Sequence, residues 1–262
     1  MTGKPPISAS KTPRHGVART ISKLGWGSRT QAAQWVREGR VRVNGRVARD
    51  AELPVRLGLD RIDIDGQERQ PAGRVALMLN KPRGLVTTVK DERGRATVYS
   101  CLADAALPWL APVGRLDKAS EGLLLFSNDP AWAARITDPG TGPTKTYHVQ
   151  IDCLPDAALL AALERGALSN GEHLKARSAR CLRTGDKNAW LEIVLDEGRN
   201  RQIRRLLEAF DVSVLRLVRV AIGPLALGDL TKGATRALEP QEKQALDRSV
   251  RAPNHAPASS AR

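Results

Sequence analysis

Hydrophobic positions along this chain change period several times. Val17, Ile21 and Leu24 recur at helical spacing, and Gly25 and Gly27 end that helix around Trp26. Ser28-Arg29-Thr30-Gln31 fits a capping box, with Ser28 as N-cap and Gln31 reaching back. It opens a second helix that carries Ala32, Trp35 and Val36 on one side and closes at Gly39. Val41-Arg42-Val43 and Arg46-Val47-Ala48 then alternate around Asn44-Gly45, the strongest local hairpin signal. The order predicted is helix, helix, hairpin, in a small module over 17–68.

Beyond Pro71 and Gly73 a larger domain is predicted over 74–240. Val75 to Leu79 reads as a strand broken by Asn80-Lys81-Pro82-Arg83-Gly84, and Leu123 to Phe126 as a buried strand. Thr146 to Ile151 and the stretch around Trp190, Glu192, Ile193 and Val194 alternate with period two. Leu154 to Leu168 reads as a helix. Ile203, Leu206, Leu207 and Phe210 form one apolar helical stripe with Arg204 on its margin. Strands and helices without a regular βαβ repeat predict an α+β fold, its mixed sheet mostly antiparallel and flanked by helices. Residues 1–16 are expected to be a disordered basic arm, 69–73 a linker and 241–262 a disordered tail.

Charge sharpens the picture. Lys and Arg total 42 against 28 Asp and Glu, a formal charge of +14, and the first 37 residues hold no acid. A field of that sign suits a phosphate-rich partner. With no apolar run long enough to span a bilayer and no long basic amphipathic helix, nucleic acid is a better match than a membrane surface. The exposed positions of the small module are basic: Lys23, Arg29, Arg37, Arg40, Arg42, Arg46 and Arg49. Cys101, Cys153 and Cys181 are odd in number and widely spaced, which argues against a disulfide framework or a CxxC metal site and for a reducing cytoplasm. No HExxH, GxGxxG or Walker A motif is present, so neither metal nor nucleotide cofactor is predicted.

One acid stands out. Asp117 lies in Gly114-Arg115-Leu116-Asp117, directly before Ser120, Gly122 and the apolar run Leu123-Leu124-Leu125-Phe126. It is either a turn residue paired at the surface with Arg115, or a charge held at the edge of a core for use. The second dense signal is Gly198 to Leu207, where a partly buried Arg204 calls for a carboxylate that sequence alone does not identify.

Four segments then coincide with one family: LNKPRGLVTT (79–88), GRLDKASEGLLLFSND (114–129), KTYHV (145–149) and EGRNRQIRRLLEAF with VLRLVRVAIGPLALGDLTKGATRAL (197–238). In this order they resemble the bacterial ribosomal RNA pseudouridine synthases of the RsuA/RluB type. The pattern SR-x-x-A with G-x-V-x-V-N-G resembles a small ribosomal-protein-like RNA-binding module fused to many RNA-modifying enzymes. The resemblance implies that Asp117 is the catalytic aspartate, Tyr147 stacks on the target base, and Arg204 pairs with Asp117. It further implies that Arg115 fills the space of the flipped nucleotide and Leu217 closes the base pocket, with Lys145 and Lys81 on phosphate. A monomeric enzyme acting on ribosomal RNA without cofactor follows, the large subunit slightly favoured over the small. Two other readings fit the residues: a non-catalytic RNA-binding assembly factor, and a hydrolase pairing Asp117 with Glu121 or Asp129.

Overall fold

The computed structural model describes residues 13–68, 70–89, 91–102 and 107–250. The chain divides into two compact units, Met1–Arg74 with Ala106–Leu110, and Val75–Ala105 with Ala111–Arg262.

In the first unit β1 (Arg14–Gly16) leads into α1 (Val17–Lys23) and α2 (Arg29–Arg37). Next come β2 (Val41–Val43), β3 (Arg46–Val47), β4 (Pro54–Arg56), β5 (Ile62–Ile64) and β6 (Gln67–Glu68). Ser28 Oγ accepts from Gln31 N at 3.0 Å, so the N-cap forms as expected. Asn44 and Gly45 take φ of 52° and 79°, the left-handed pair that a two-residue hairpin needs, and β2 pairs β3 across them. Val17, Ile21, Ala32, Val36, Val41, Val55 and Ile64 close the core.

This unit begins before residue 17, correcting the expected arm. Residues 1–12 lie outside the described residues, but Arg14–Gly16 pairs antiparallel with Pro54–Arg56, and Val17 N donates to Leu53 O. Main-chain pairing leaves no trace in composition. Of the predicted linker, residue 69 is outside the described residues; Gln70 O accepts from Trp26 Nε1 and Ala72 N donates to Leu24 O, tying the remainder to the small unit.

The second unit contains β7 (Ala76–Lys81), β8 (Ala111–Val113), β9 (Glu121–Ser127), α3 (Pro130–Thr137), β10 (Lys145–Ile151) and α4 (Ala157–Arg165). It continues with β11 (Ala167–Ser169), β12 (Glu172–Leu174), β13 (Ser178–Thr184), β14 (Ala189–Leu195), α5 (Gln202–Glu208) and β15 (Val214–Ile222). It ends with β16 (Leu225–Ala226), β17 (Thr235–Ala237) and α6 (Pro240–Ser249). One sheet runs β13-β14-β10-β15-β9-β7-β17, antiparallel throughout except where β15 lies parallel to β9. The fold is α+β, as the pattern predicts. Met78, Leu123, Leu125, Trp132, Ile136 and Leu246 form a buried cluster beneath it.

Three elements differ from the pattern. β7 runs through Asn80 and Lys81 because both polar side chains are buried with partners. α4 covers less than Leu154 to Leu168: Asp156 caps it by accepting from Leu159 N at 2.7 Å, and Gly166 stops it. The expected tail contains α6, since Glu239 and Glu242 form a capping box, Pro240 occupies the first turn, and Leu246 is fully buried. Asp247 on that helix accepts from the Nε1 of buried Trp132 at 2.7 Å. Residues 251–262 lie outside the described residues.

Candidate active site

A cleft of about 630 Å³ opens in the second unit over the middle of the sheet. Arg115, Asp117, Lys145, Tyr147 and Leu217 all line it, so five of the sequence-predicted residues from three separate segments converge. The sheet does this by parity. Tyr147 on β10 and Arg219 on β15 are Cα partners, and Leu217 is two residues from Arg219 on the same face. A shift of register between Thr146 and Tyr147 marks a β-bulge at this point, a device that re-aims side chains.

Asp117 sits in a turn closed by Ser120 N donating to Asp117 O at 3.0 Å. The turn is anchored by the segment around residue 81. Lys81 Nζ donates to Asp117 O at 3.2 Å, Ser120 O at 2.8 Å and Pro82 O at 3.1 Å. Thr87 Oγ1 donates to Leu116 O at 2.7 Å, and Gly84 N donates to Lys118 O at 2.8 Å. The carboxylate is half-exposed and, among the described residues, makes no ion pair within 4.0 Å.

Lys81 corrects an expectation. It is fully buried, with its three donors spent on main-chain carbonyls, and is not available to a phosphate. Burial pushes its pKa down to about 8, opposed by the charges of Asp117 and Glu121. Unfolded, the same group holds its proton to 10.5. Below pH 8 both states are protonated and the fold carries the cost of a buried charge. Between 8 and 10.5 the folded state releases a proton that the unfolded state keeps, so this group's contribution to stability rises with pH. Relative to Lys81→Met, the parent should therefore gain stability from about pH 7 to about pH 10, measured by urea unfolding. Lys81→Met should also lower turnover, because the turn bearing Asp117 loses its anchor.

Arg204 on α5 is half-buried, but its bonds run to carbonyls rather than a carboxylate. Nη1 donates to Val214 O at 3.2 Å and Nη2 to Ala119 O at 3.3 Å, two residues from Asp117, while Nε has no partner among the described residues. Burial and the charge of Arg201 lower its pKa, and the charge of Asp117 opposes them. Asp117 thus lies within its electrostatic reach without contact. Arg201, which lines the cleft and opens α5, holds φ 50°, a left-handed strain uncommon outside glycine.

Two buried polar residues of the cleft stand outside the predicted site set, Ser120 reading from sequence only as a turn or strand-entry hydrogen-bonder. Arg219 and Ser120 both line the cavity and are buried. The signal for Arg219 was available: it stands where the alternation of Leu215, Leu217 and Ala221 calls for an apolar side chain. The two carboxylates considered as partners of Asp117 are committed elsewhere. Glu121 takes a bidentate pair from Arg216 at 2.8 and 3.0 Å and a further bond from Lys232, holding its carboxyl near 2. Asp129 caps α3 through Ala131 N and Trp132 N. The pairing of Asp117 with Glu121 or Asp129 that a hydrolase would use is therefore not assembled.

In the small unit Arg29 pairs with Glu52 at 2.6 Å, and Arg40 bonds Asp65 at 2.7 and 2.9 Å. Lys23 Nζ lies 2.8 Å from His15 Nε2, and burial with neighbouring Arg19 and Arg74 lowers its pKa. Arg37, Arg42 and Arg46 are exposed without an ion-pair partner among the described residues.

Comparison with known proteins follows these units. Residues 75–209 match the RNA pseudouridylate synthase family and residues 17–60 the S4 domain. A Bacillus subtilis relative named ribosomal large subunit pseudouridine synthase B is 34% identical over 232 residues, covering 87% of this chain and 93% of the relative. An Aquifex aeolicus relative named as an uncharacterized RNA pseudouridine synthase is 34% identical over 235 residues, covering 89% and 94%. A solved structure described as a pseudouridylate synthase superposes with a TM-score of 0.62 at 29% identity, covering 89% of this chain and 99% of that one.

Proposed function

The chain belongs to the RNA pseudouridylate synthase family, and from that premise we propose that it converts a uridine of large-subunit ribosomal RNA to pseudouridine at the cleft around Asp117. The observation that carries the site is the convergence of Asp117, Tyr147, Arg115 and Leu217 in one cavity. The choice of RNA is supported by relatives in Bacillus subtilis, Pseudomonas aeruginosa and Haemophilus influenzae that are named for the large ribosomal subunit. The enzyme is proposed to act as a monomer in the cytoplasm. No helix among the described residues is long and apolar enough to cross a membrane.

The reaction breaks N1–C1′, turns the base, joins C5 to C1′, and moves the C5 proton off while N1 gains one. Atoms and redox state balance, so the chemistry calls for no cofactor. A stacked base cannot turn in place and must leave the helix, at a cost of a few kcal/mol. In this reading the ring of Tyr147 recovers about 1–3 kcal/mol of that by stacking. Leu217 covers the other side of the base, Arg115 occupies the space it vacates, and Lys145 meets the backbone phosphate. Asp117 is the nucleophile, with the half-buried guanidinium of Arg204 held nearby on the carbonyl of Ala119. The exposed Arg37, Arg42 and Arg46 add phosphate contacts from the small unit.

Arg204→Met should slow conversion by about a hundredfold, because the buried field on the nucleophile disappears. RNA affinity should stay within about threefold, since that side chain faces carbonyls rather than the open cleft. Single-turnover rates with filter binding check this; a parental rate would remove Arg204 from the mechanism. The choice of substrate is tested by mapping pseudouridines in ribosomal RNA from cells with and without the gene. Loss of one large-subunit position is expected, and an unchanged large-subunit map would refute it.

A further inference from the structure

We propose that Arg219 and Ser120 form a base-reading pair that selects uracil through the hydrogen-bonding edge of its ring; this rests on the proposed function of the cleft. Both line the same cavity as Asp117 and Tyr147. Both are more than nine-tenths buried, at 6% and 2% exposure. Arg219 donates from Nε to Leu123 O at 2.7 Å, yet its Nη2 has no hydrogen-bond partner among the described residues. Ser120 closes the turn with its main-chain N–H and gives its carbonyl to Lys81, yet its Oγ is equally without a partner. Buried polar groups are nearly always paired, and an enclosed guanidinium nitrogen without an acceptor destabilises the free protein. Two such groups lining one cavity indicate that the missing partner arrives with the substrate.

Their placement says which part of the substrate they meet. Arg219 is the Cα partner of Tyr147 across β10 and β15, and of Gly122 across β9 and β15. Ser120 directly precedes Glu121, which pairs with Val218, so it stands beside Leu217. A ring lying on Tyr147 and covered by Leu217 presents its edge to both unpaired groups.

The chemistry of that edge fits uracil. Its O4 accepts and its N3–H donates. A guanidinium only donates, whereas a hydroxyl can accept. Cytosine places an amino donor where uracil has O4, so Arg219 would confront donor with donor. The same guanidinium stabilises negative charge that gathers on the base oxygens as N1–C1′ breaks.

Ser120→Ala removes an oxygen that bonds nothing in the free protein, so folding should be untouched. Arg219→Lys keeps the charge but replaces the fork with a point donor. The full-length variants and the parent are given an unmodified large-subunit ribosomal RNA transcript carrying tritium at C5 of uridine. Single-turnover tritium release, RNA affinity and melting temperature are read in parallel. The expected result is release slowed by about tenfold or more in each variant, with affinity within about twofold. The double variant should lose less than the product of the two losses, because both groups read one edge. A parental rate in either variant overturns the pair, and so does a rate loss matched by an equal loss of RNA affinity or by a fall in melting temperature of Ser120→Ala. Absence of tritium release by the parent would instead refute the proposed function, and this inference with it.

Discussion

Asp117→Asn should abolish pseudouridine formation while leaving RNA binding close to that of the parent. The substitution preserves shape and the main-chain bonds of the turn, in which Asp117 O accepts from Lys81 and Ser120. It removes the negative charge and the nucleophilic oxygen. Loss of the proposed covalent nucleophile costs on the order of a thousandfold or more in turnover, and the other carboxylates that line the cleft, Glu172 and Glu197, are paired with Arg205 and Arg199. Glu121 is tied to Arg216 and Lys232, and Asp129 caps a helix, so neither carboxylate can move in. The carboxylate makes no ion pair among the described residues, so its removal strands no cation bound to it. A non-catalytic assembly factor predicts the opposite outcome, with its whole activity intact in Asp117→Asn.

Gly122→Ala should be the most damaging single methyl that can be added near the site. Gly122 holds φ 99°, a conformation that side chains disfavour, at the point where β9 runs parallel to β15. A Cβ there would meet the main-chain oxygen of Arg219, far inside van der Waals contact, and its nitrogen at 2.8 Å. Main chain cannot rotate away as a side-chain tip can. The cost should be about 3 kcal/mol or more, from backbone strain and overpacking together. Against a total stability of about 5–15 kcal/mol, that corresponds to a fall in melting temperature on the order of 10 °C. It should also reduce turnover, because the parallel pairing sets Arg219 and Leu217 against the turn of Asp117. Thermal unfolding and tritium release from the same preparation check both consequences; a melting point within about a degree of the parent would show that the two strands separate without penalty.

Much of this architecture is legible in the residues. The Asn44-Gly45 hairpin, the Ser28 cap and the stripe of Ile203, Leu206 and Leu207 are local signals, and local chemistry decides them. The cleft is legible because its parts sit in motifs that strand alternation carries to one face. Lys81 was misread because Asn80-Lys81-Pro82 has the composition of a loop, while β7 lies between β9 and β17 and buries both polar side chains. Only the position of the strand in the sheet reveals that. α6 was hidden by its charges. Its capping box and Pro240 were visible, but the single buried Leu246 leaves almost no apolar period to detect. Arg204 finds carbonyls instead of Asp117 because the turn after residue 117 brings Ala119 O nearer than the carboxylate. No spacing rule reports which acceptor a long side chain reaches.

The most direct test of the central claim is nucleoside analysis of an unmodified large-subunit ribosomal RNA transcript after incubation with the purified full-length chain and with its Asp117→Asn variant. The parent should leave stoichiometric pseudouridine at one position and the variant none, with both retained on RNA alike. Equal pseudouridine from the two proteins, or cleavage of the RNA in place of isomerisation, would contradict it.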